Sequence, residues 1–345
     1  MNWANGFSAA YYAAIIDPRT WTETSRLEIV DGNVKRESSD LRDSADFTAV
    51  EYDGAERWVR LYLEAKQAGD KVRTPLFTGL TASPTRNIDG NLSTSRVDCY
   101  SVLKPCADVL TQRGYYIPAA LPLNNAVRRL LDTTPAPVEI EGDMPALESA
   151  LISEDGETAL SLVTKIIKAI DWTIQTTGDG TIHIRPRTTG YVARFDAVDN
   201  DMIEPEITYT RDWYSLPNVF RAVSEDTAAV ARDESTSSPL SIPNRGREIW
   251  AEEDSVDLAE NESLAAFALR KLKELQNAAT KISYNRRYDP DILPGDSVYL
   301  HYPNQGIDGA FTVSSQSITL DFGATTAEEV KTEGATNDEE DESDE

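Results

Sequence analysis

Short runs of alternating apolar and polar residues fill the first hundred positions of the chain, and turn-forming residues separate these runs. Residues 59–63 alternate in one such run. Tight turns are predicted at Asp31-Gly32, at residues 68–70 and at residues 88–92, because Gly and Asp adopt the backbone conformations that hairpins need. Evenly spaced short strands are typical of a small barrel or sandwich, so we predict an N-terminal β-barrel domain over residues 1–108.

The hydrophobic period changes after residue 108 and indicates a mixed α/β insert over residues 109–190. A first helix is predicted over residues 121–131. A second helix is predicted to begin after Asp155 as its N-cap, and its apolar face consists of Leu160, Val163, Ile166, Ile167 and Ile170. This helix leads into a β-hairpin predicted over residues 172–184, in which Gly178-Asp179-Gly180 forms the turn.

Strand patterns return after Gly190. A third helix is predicted over residues 260–278, and strands precede and follow it. We therefore predict a second β-barrel domain over residues 191–325 that carries one long helix. Residues 326–345 are rich in Asp and Glu and have little apolar surface to bury, so we expect a disordered tail that is dispensable for folding. The predicted fold class is α+β, mainly β, with two small β-barrel domains flanking a mixed α/β insert.

Charge limits the kinds of partner that this chain can take. It has 59 acidic and 33 basic residues and a net charge of −26, and arginine outnumbers lysine among the basic residues. Screening at molar ionic strength acts over roughly 3 Å and removes self-repulsion, so this balance favours a protein from a salt-loving source. Wrapping DNA through phosphate contacts needs clustered Lys and Arg, and so acidic a surface argues against it. DNA that slides past an acidic wall is compatible with this charge.

Residues that could carry catalysis are few. His183 and His301 are the candidate bases of a Ser-His-Asp arrangement, but both fall in alternating strand-like runs, where side chains pack or face solvent. The sequence has no GxSxG, HExxH or P-loop motif. Cys99 and Cys106 form no CxxC pair, and Cys99 is expected to be a buried, reduced thiol. We predict no catalytic site and no cofactor site.

The remaining site candidates are the acidic run Glu252, Glu253 and Asp254, the acidic cluster Asp196, Asp199 and Asp201, and the aromatic pair Trp213-Tyr214. The acidic run is expected to be a solvated group of charges. The acidic cluster offers the oxygen ligands that calcium prefers, but it lacks the spacing of an EF-hand, so no metal site is predicted. The aromatic pair is the one neighbouring pair that a carbohydrate-binding surface could use.

The segment of residues 293–298 is a strong turn signal in the last third of the chain. Pro294 fixes the turn, Gly295 permits a positive φ, and the Asp296 side chain can bond the local backbone. A strand is predicted to begin at Val298. The segment follows the third predicted helix and one strand, and this order contributes to a family resemblance.

The order of several short segments resembles that of the tail hub proteins of tailed viruses and contractile injection systems, the baseplate-hub family. The resembling segments are residues 17–21 (DPRTW), the Asp31-Gly32 pair, residues 77–80 (FTGL), residues 97–101 (VDCYS), the Asp171-Trp172 pair, residues 217–219 (PNV), the Gly246-Arg247 pair, the Asp289-Pro290 pair and residues 294–296 (PGD). Together they span most of residues 15–325. No appended peptidase, lysozyme or needle-like repeat domain is recognisable, so no role in degrading cell walls is expected.

This resemblance implies a non-enzymatic structural protein of the virion, made in the host cytoplasm and placed at the tail tip. It implies a homotrimer in which each chain gives two similar β-barrels, so that six barrels match a six-fold tail tube and the trimer matches a three-fold tip. The implied partners are a tail tube or distal tail protein, the tape-measure protein and a tip or receptor-binding protein. DNA would pass through the channel without specific binding.

Two functions from other classes compete with the hub. A hydrolase of cell-surface polysaccharide would need paired carboxylates, which for retaining enzymes lie about 5–5.5 Å apart. A carbohydrate-binding module would need an exposed aromatic stripe. Stable membrane insertion is not expected, because no apolar run approaches the roughly 18 residues of a membrane-spanning helix.

Overall fold

A computed structural model of the chain describes all residues except 39–42, 83, 91, 120, 148, 188–189, 198–201, 212–213, 225–226, 255, 257–262, 278–279 and 333–345. Strands predominate over helices among these residues, which confirms the predicted mainly β class. Within the described residues, no helix combines the length and apolarity that crossing a membrane requires.

The first hundred residues form strands, as the alternating runs predict. These strands are β1 (Ser8–Asp17), β2 (Thr22–Leu27), β3 (Ile29–Glu37), β4 (Ser44–Val50), β5 (Trp58–Gln67), β6 (Asp70–Thr81), β7 (Thr85–Asp89) and β8 (Leu92–Ser101). They pair in the order β3-β4-β8-β6-β5-β1-β2, and β7 pairs with β8. Phe47, Leu61, Leu76 and Val97 lie in the core of this sheet.

Two of the three predicted N-terminal turns are confirmed, and one is wrong. Ala68 and Gly69 connect β5 to β6 with positive φ, and Gly90 connects β7 to β8 in the same way. Asp31 and Gly32 instead lie inside strand β3. A Cβ on Gly32 would lie 2.6 Å from the backbone oxygen of Asp46 on β4, so this glycine permits a close approach of two strands.

The middle of the chain mixes helices and strands. Its elements are α1 (Lys104–Asp108), β9 (Tyr116–Ile117), α2 (Asn124–Leu131), β10 (Val138–Ile140), β11 (Leu151–Ile152), α3 (Ala159–Ala169), β12 (Trp172–Thr176) and β13 (Ile182–Pro186). The β12–β13 hairpin is confirmed, and β10 pairs with β13 in parallel. The predicted N-cap is wrong: Thr158 caps α3, because its hydroxyl accepts a hydrogen bond from the amide of Ser161 at 3.1 Å.

The chain after residue 190 contains the remaining strands. They are β14 (Ala193–Asp196), β15 (Ile203–Arg211), β16 (Val219–Ser224), β17 (Thr227–Arg232), β18 (Trp250–Glu253), β19 (Thr280–Arg286), β20 (Ser297–Tyr302), β21 (Ile307–Thr319) and β22 (Thr326–Thr332). The helices are α4 (Ile242–Arg245) and α5 (Leu264–Asn277), and Pro303–Gln305 forms a 3₁₀ turn. The third predicted helix corresponds to α5, although residues 260–262 and 278 lie outside the described residues.

The predicted start of the disordered tail is wrong. Residues 326–332 form strand β22, in which Thr326, Glu328 and Val330 are buried on alternate positions. The sequence pattern hides this strand because a buried carboxylate occupies the central inward position. Residues 333–345 lie outside the described residues, so the prediction for them stays a prediction.

Contacts divide the chain into two compact units whose boundaries differ from the predicted domains. The first unit comprises Met1–Glu206, Tyr284–Gly309 and Val313–Glu329; the second comprises Ile207–Ser283, Ala310–Thr312 and the described part of Val330–Glu345. The first unit joins distant parts of the chain because β21 pairs with β3, with Ile318 opposite Val34.

The strands of the described residues form open sheets, and no closed barrel is found among them. In the first unit, β14 pairs in parallel with β20. In the second unit, β16 lies between β17 and β18 in a three-stranded sheet, and α5 packs against it. The sequence pattern indicated strands but contained no information about whether a sheet closes.

Candidate functional site

The two histidines lie on different strands, and each pairs with a carboxylate. Nδ1 of His183, on β13, lies 3.4 Å from Oε2 of Glu139, and Nδ1 of His301, on β20, lies 2.8 Å from Oδ1 of Asp308. The hydrogen bond from His301 lowers the pKa of Asp308, and a second bond from the hydroxyl of Tyr299 acts in the same direction. Both are half-exposed contacts between a histidine and a carboxylate, and such surface contacts have small energetic weight.

One surface cleft brings a histidine close to two acidic side chains. Its volume is about 300 Å³, and Glu139, Glu141 and His183 are among its lining residues. The Glu139 side chain is 67% exposed. The catalytic acid of a glycosidase depends on a desolvated environment to remain protonated. This cleft does not provide such an environment at Glu139, so it gives no support to a polysaccharide hydrolase.

Glu252 and Asp196 of the acidic candidates form ordinary ion pairs. Glu252 lies 3.4 Å from Arg221, and Asp196 pairs with Arg194 on its own strand at 2.9 Å. Asp199 and Asp201 lie outside the described residues. Among the residues that the structure describes, no group of three or more His, Cys, Asp or Glu side chains is arranged to hold a metal ion.

The aromatic candidate is described only in part. Trp213 lies outside the described residues, whereas Tyr214 is 78% exposed. The guanidinium of Arg247 lies 4.3 Å from the ring centroid of Tyr214 and also donates to its backbone oxygen at 2.7 Å. An arginine therefore occupies one approach to this ring.

Both cysteines are buried free thiols, which confirms the prediction for Cys99. Cys99 lies on β8, and burial raises the pKa of its thiol. Cys106 lies on α1, where burial likewise raises its pKa, although the hydroxyl of Thr133 donates to its sulfur at 3.1 Å. Protonated, buried thiols are poor nucleophiles.

The turn at residues 293–298 holds the β12–β13 hairpin through one buried carboxylate. The Asp296 side chain is 3% exposed, and its Oδ1 accepts from Arg185 at 2.5 Å and from Gln175 at 3.1 Å. Its Oδ2 accepts from the amide of Leu293 at 2.8 Å. Gln175 also donates to the backbone oxygen of Pro294 at 2.8 Å. The predicted turn at residues 293–298 therefore holds the body of the β12–β13 hairpin through hydrogen bonds to Gln175 and Arg185.

Glycine is required at the centre of this anchor. Gly295 has a φ of 93°, and a Cβ at this position would lie 3.2 Å from Nε2 of Gln175 and 3.3 Å from the hydroxyl oxygen of Thr173. A side chain would therefore combine an unfavourable backbone conformation with crowding against β12.

The tip of the same hairpin is bound to strands β5 and β6. The backbone oxygen of Gly178 accepts from the Thr78 hydroxyl at 2.8 Å, and that of Asp179 accepts from Arg60 at 2.6 Å and from the Trp21 indole at 3.1 Å. A Cβ on Gly178 would lie 1.9 Å from the backbone oxygen of Pro75. The hairpin is thus fixed at its body and at its tip.

A buried ionic centre joins β19, β21 and β22 within the first unit. Oε2 of Glu328 accepts from Arg286 at 2.6 and 2.9 Å and from Gln316 at 2.8 Å, and Oε1 accepts from the hydroxyl of Tyr284 at 2.5 Å. The side chains of Arg286 and Glu328 are 1% and 0% exposed.

The charges of this centre compensate each other. Burial opposes the charge of Arg286, but the Glu328 carboxylate outweighs this effect and raises the pKa of the guanidinium. Burial and the same carboxylate raise the pKa of Tyr284, so its hydroxyl remains a donor. Removing either charged partner would leave the other buried without compensation.

Sequence reasoning missed both Arg286 and Glu328. Strand β22 alternates buried and exposed positions, but Val330 is the one large apolar residue on its inward side within Thr326–Thr332. The sequence signal that could have indicated this strand is Val330 at the end of an acidic alternating run. The arrangement fixes strands β19, β21 and β22 and the β12–β13 hairpin through buried hydrogen bonds.

Comparison with known proteins gives a fold but no family. The sequence matches no family model and no curated protein. The structure is similar to that of the tail protein from Neisseria meningitidis, with a TM-score of 0.66 at 17% identity over 96% of this chain and 98% of that chain. It is similar to the 43 kDa tail protein of prophage MuSo2 from Shewanella oneidensis, with a TM-score of 0.65 at 12% identity over 94% of this chain and 98% of that chain.

A third similar structure comes from another bacterium. The prophage tail protein gp18 from Listeria monocytogenes has a TM-score of 0.52 at 13% identity, over 94% of this chain and 95% of that chain. These structural neighbours are tail proteins. The chain therefore shares its fold, over nearly its whole length, with solved tail proteins of phage type.

Proposed function

We propose that this chain is a non-enzymatic structural protein of a virus tail, and that three copies form the hub at the distal end of the tail tube. The observation that carries the proposal is the shared fold, which extends over 96% of this chain and 98% of the Neisseria meningitidis tail protein. Coverage of this extent leaves little of the chain for an additional catalytic domain.

In the proposed hub, each chain gives two β-rich regions to a ring, so that three chains match a six-fold tube on one side and a three-fold tip on the other. The predicted regions are residues 1–108 and 191–325, with the insert of residues 109–190 between them. The β12–β13 hairpin supports this proposal, because an adaptor that transmits force benefits from a hairpin held at its body and at its tip. The partners are a tube or distal tail protein, the tape-measure protein and a tip or receptor-binding protein.

The proposed ring leaves a channel through which DNA passes during genome ejection. A net charge of −26 repels phosphate, so DNA would move past the wall without binding to it. The same charge leads us to propose a salt-loving host, in which multimolar salt screens the self-repulsion of the folded chain.

Immunolabelling of intact virus particles tests the proposed location. An antibody against the purified chain should label the end of the tail that is distal to the capsid. Label along the entire tube would indicate a tube protein, and label on the capsid would contradict a tail function.

A further inference from the structure

Two strands of the first unit each lose a neighbouring strand part of the way along. Strand β1 pairs with β5 throughout Ser8–Ile16 but with β2 only from Ala13 onward. Strand β3 pairs with β4 from its first residue but with β21 only from Asn33 onward. Among the described strand pairs, Ser8–Tyr12 of β1 and Ile29–Asp31 of β3 therefore each have one open edge. An open edge presents unpaired backbone N–H and C=O groups.

A groove with a volume of about 300 Å³ lies at these open edges. Its lining comes from Ala9 and Tyr11 of β1, residues 29–31 of β3, and residues 320–322 of the turn between β21 and β22. Six of these eight side chains are apolar or aromatic, and the other two are aspartates. We name this groove, with these eight lining residues, the seam groove.

Phe322 is presented to water on a turn that hydrogen bonds hold in place. Oδ1 of Asp321 accepts from the amides of Gly323 at 3.0 Å and of Thr325 at 3.2 Å. The backbone oxygen of Asp321 accepts from the hydroxyl of Tyr11 on β1 at 2.6 Å. Phe322 is nevertheless 94% exposed. A partner that covers this ring gains its burial free energy, and little entropy is lost in ordering the turn.

Val30 adds a second exposed apolar side chain to the seam groove. The pairing of β3 with β4 passes from Ile29 opposite Ala49 to Asp31 opposite Thr48, so Val30 is the extra residue of a bulge. It is 66% exposed. The seam groove therefore presents two exposed apolar side chains, one from β3 and one from the turn after β21.

The charges of the lining favour a basic occupant. The lining contains the carboxylates of Asp31 and Asp321 and no basic side chain. Neither carboxylate forms an ion pair with another described residue. A basic partner therefore meets two carboxylates without counter-charges, whereas nucleic acid would bring its phosphates against them.

Charge also argues against this chain as the occupant of its own groove. Residues 333–345 contain eight acidic and no basic side chains, so this segment would bring further carboxylates to the seam groove. A second copy approaches against the repulsion between two chains that each carry −26. The occupant that fits is a different, basic protein.

We propose that the seam groove binds an extended segment of a different protein, in which an apolar side chain is flanked by Lys or Arg. The backbone of this segment pairs with the open edge of Ser8–Tyr12, its apolar side chain packs on Phe322 and Val30, and its cation meets Asp31. In such strand addition, backbone hydrogen bonds give affinity and side-chain contacts give specificity, which neither a lipid nor a small amine provides. One copy carries the complete seam groove, so the inference goes beyond the proposed trimer and does not depend on it.

Selection from a display library of random dodecapeptides tests the inference on the immobilised full chain, at the lowest KCl concentration at which circular dichroism shows the chain folded. We expect the retained peptides to share an apolar residue flanked by Lys or Arg. The most enriched peptide is then synthesised with a fluorescent label, and its anisotropy measures binding. Retained peptides that are acidic, or a selection that retains no peptide, would overturn the inference.

Exposed positions supply variants that leave the fold intact. Phe322→Ser should weaken binding of the labelled peptide at least about tenfold, because the contact loses a buried phenyl ring. Ile88→Ser is the matched control and should bind as the parent does, since Ile88 is 70% exposed on β7 of the same unit. Asp31→Lys should weaken binding at least about threefold and strengthen binding of a peptide with Glu in place of its Lys or Arg. Thermal melting within about 2 °C of the parent shows that each variant is folded.

Methylation of the peptide's backbone nitrogens tests the strand pairing separately from the side chains. Only alternate residues of a strand form hydrogen bonds with a given neighbour. Methylation at every second residue should therefore abolish binding in one register and preserve it in the other. Equal binding of both methylated peptides would show that no strand is added.

The remaining outcomes separate the seam groove from the proposed function. Equal binding of the peptide by Phe322→Ser and the parent places the peptide elsewhere and overturns the inference. If Phe322→Ser instead loses self-association in sedimentation, the occupant is a second copy and the inference is wrong. A parent that stays monomeric but binds the basic peptide through Phe322 contradicts the proposed hub and supports the seam groove.

Discussion

Replacing Glu328 by glutamine removes the negative charge of the buried ionic centre while it keeps the size of the side chain. In the parent protein this carboxylate accepts from Arg286, Gln316 and Tyr284. After Glu328→Gln, the amide offers one acceptor oxygen to three donors. Its NH2 group replaces one carboxylate oxygen, and the Tyr284 hydroxyl can accept a hydrogen bond from it, whereas the Arg286 guanidinium cannot. Arg286, whose side chain is 1% exposed, retains its charge without a counter-charge.

The expected loss follows from burial. Breaking a buried ion pair by removing one partner costs about 3–5 kcal/mol, whereas an exposed pair contributes about 0–1 kcal/mol. For a unit of this size, each kcal/mol lowers the melting temperature by roughly 2–4 °C, so Glu328→Gln should lower it by roughly 6–20 °C. The matched control is Glu139→Gln in the same unit, because Glu139 is 67% exposed and pairs only with His183 at 3.4 Å among the ion pairs described.

Thermal melting followed by circular dichroism measures both variants against the parent. Glu139→Gln should melt within about 2 °C of the parent, since it removes a surface pair. A Glu328→Gln variant that melts as the control does would show that Glu328 is not buried in an ordered strand β22. A double change to Arg286→Met and Glu328→Leu should cost less than the sum of the two single changes, because no charge is then left buried alone.

The remaining predictions concern the hairpin, the thiols and the surface charge. Gly178→Ala should lower the free energy of unfolding by about 1–3 kcal/mol, because the added Cβ would lie 1.9 Å from the backbone oxygen of Pro75. Gly190→Ala is the control and should leave stability unchanged, because its Cβ meets nothing within 4 Å. Equal effects of the two variants in thermal melting would contradict the contact at the hairpin tip. Cys99 and Cys106 should not react with a thiol reagent until the chain is unfolded, and rapid labelling of the folded chain would show that their burial is wrong. The melting temperature should rise by at least about 5 °C between low and multimolar KCl. An unchanged melting temperature would contradict the proposal of a salt-loving host and would leave the proposal of a tail hub unaffected.

Local features of the fold are well predicted by the sequence. Helix α3 was predictable from its clear hydrophobic period, although its cap was not, and the β12–β13 hairpin was predictable from two alternating runs joined by a Gly-Asp-Gly turn. The turns at Gly69 and Gly90 were predictable because positive φ favours glycine.

Features that depend on distant segments are not predictable in this way. Gly32 was expected in a turn, but the approach of strand β4 is what requires a residue without a side chain. Strand β22 was expected to be disordered because its central residue is acidic, and the salt-bridge partner of that carboxylate, Arg286, lies 42 positions away in the sequence. Alternation along one segment cannot indicate the charge of the segment that will face it.

The candidate site shows the same division. The turn at residues 293–298 was predictable as a turn, but its contacts with Gln175 and Arg185 depend on a hairpin more than a hundred positions earlier. The acidic run at Glu252 was predictable as solvated surface, whereas its place beside Trp250 and Arg221 depends on the pairing of β16 with β18. Neither the turn nor the acidic run indicates by itself what the chain does.

The symmetry of the assembled protein tests the central proposal most directly. Native mass measurement of the full chain in molar salt, with image averaging of the same particles, gives the number of copies and their rotational symmetry. The account predicts three copies of the 38.1 kDa chain in a ring with an open centre. A monomer at micromolar concentration, or a closed two-fold dimer, would contradict the proposed hub.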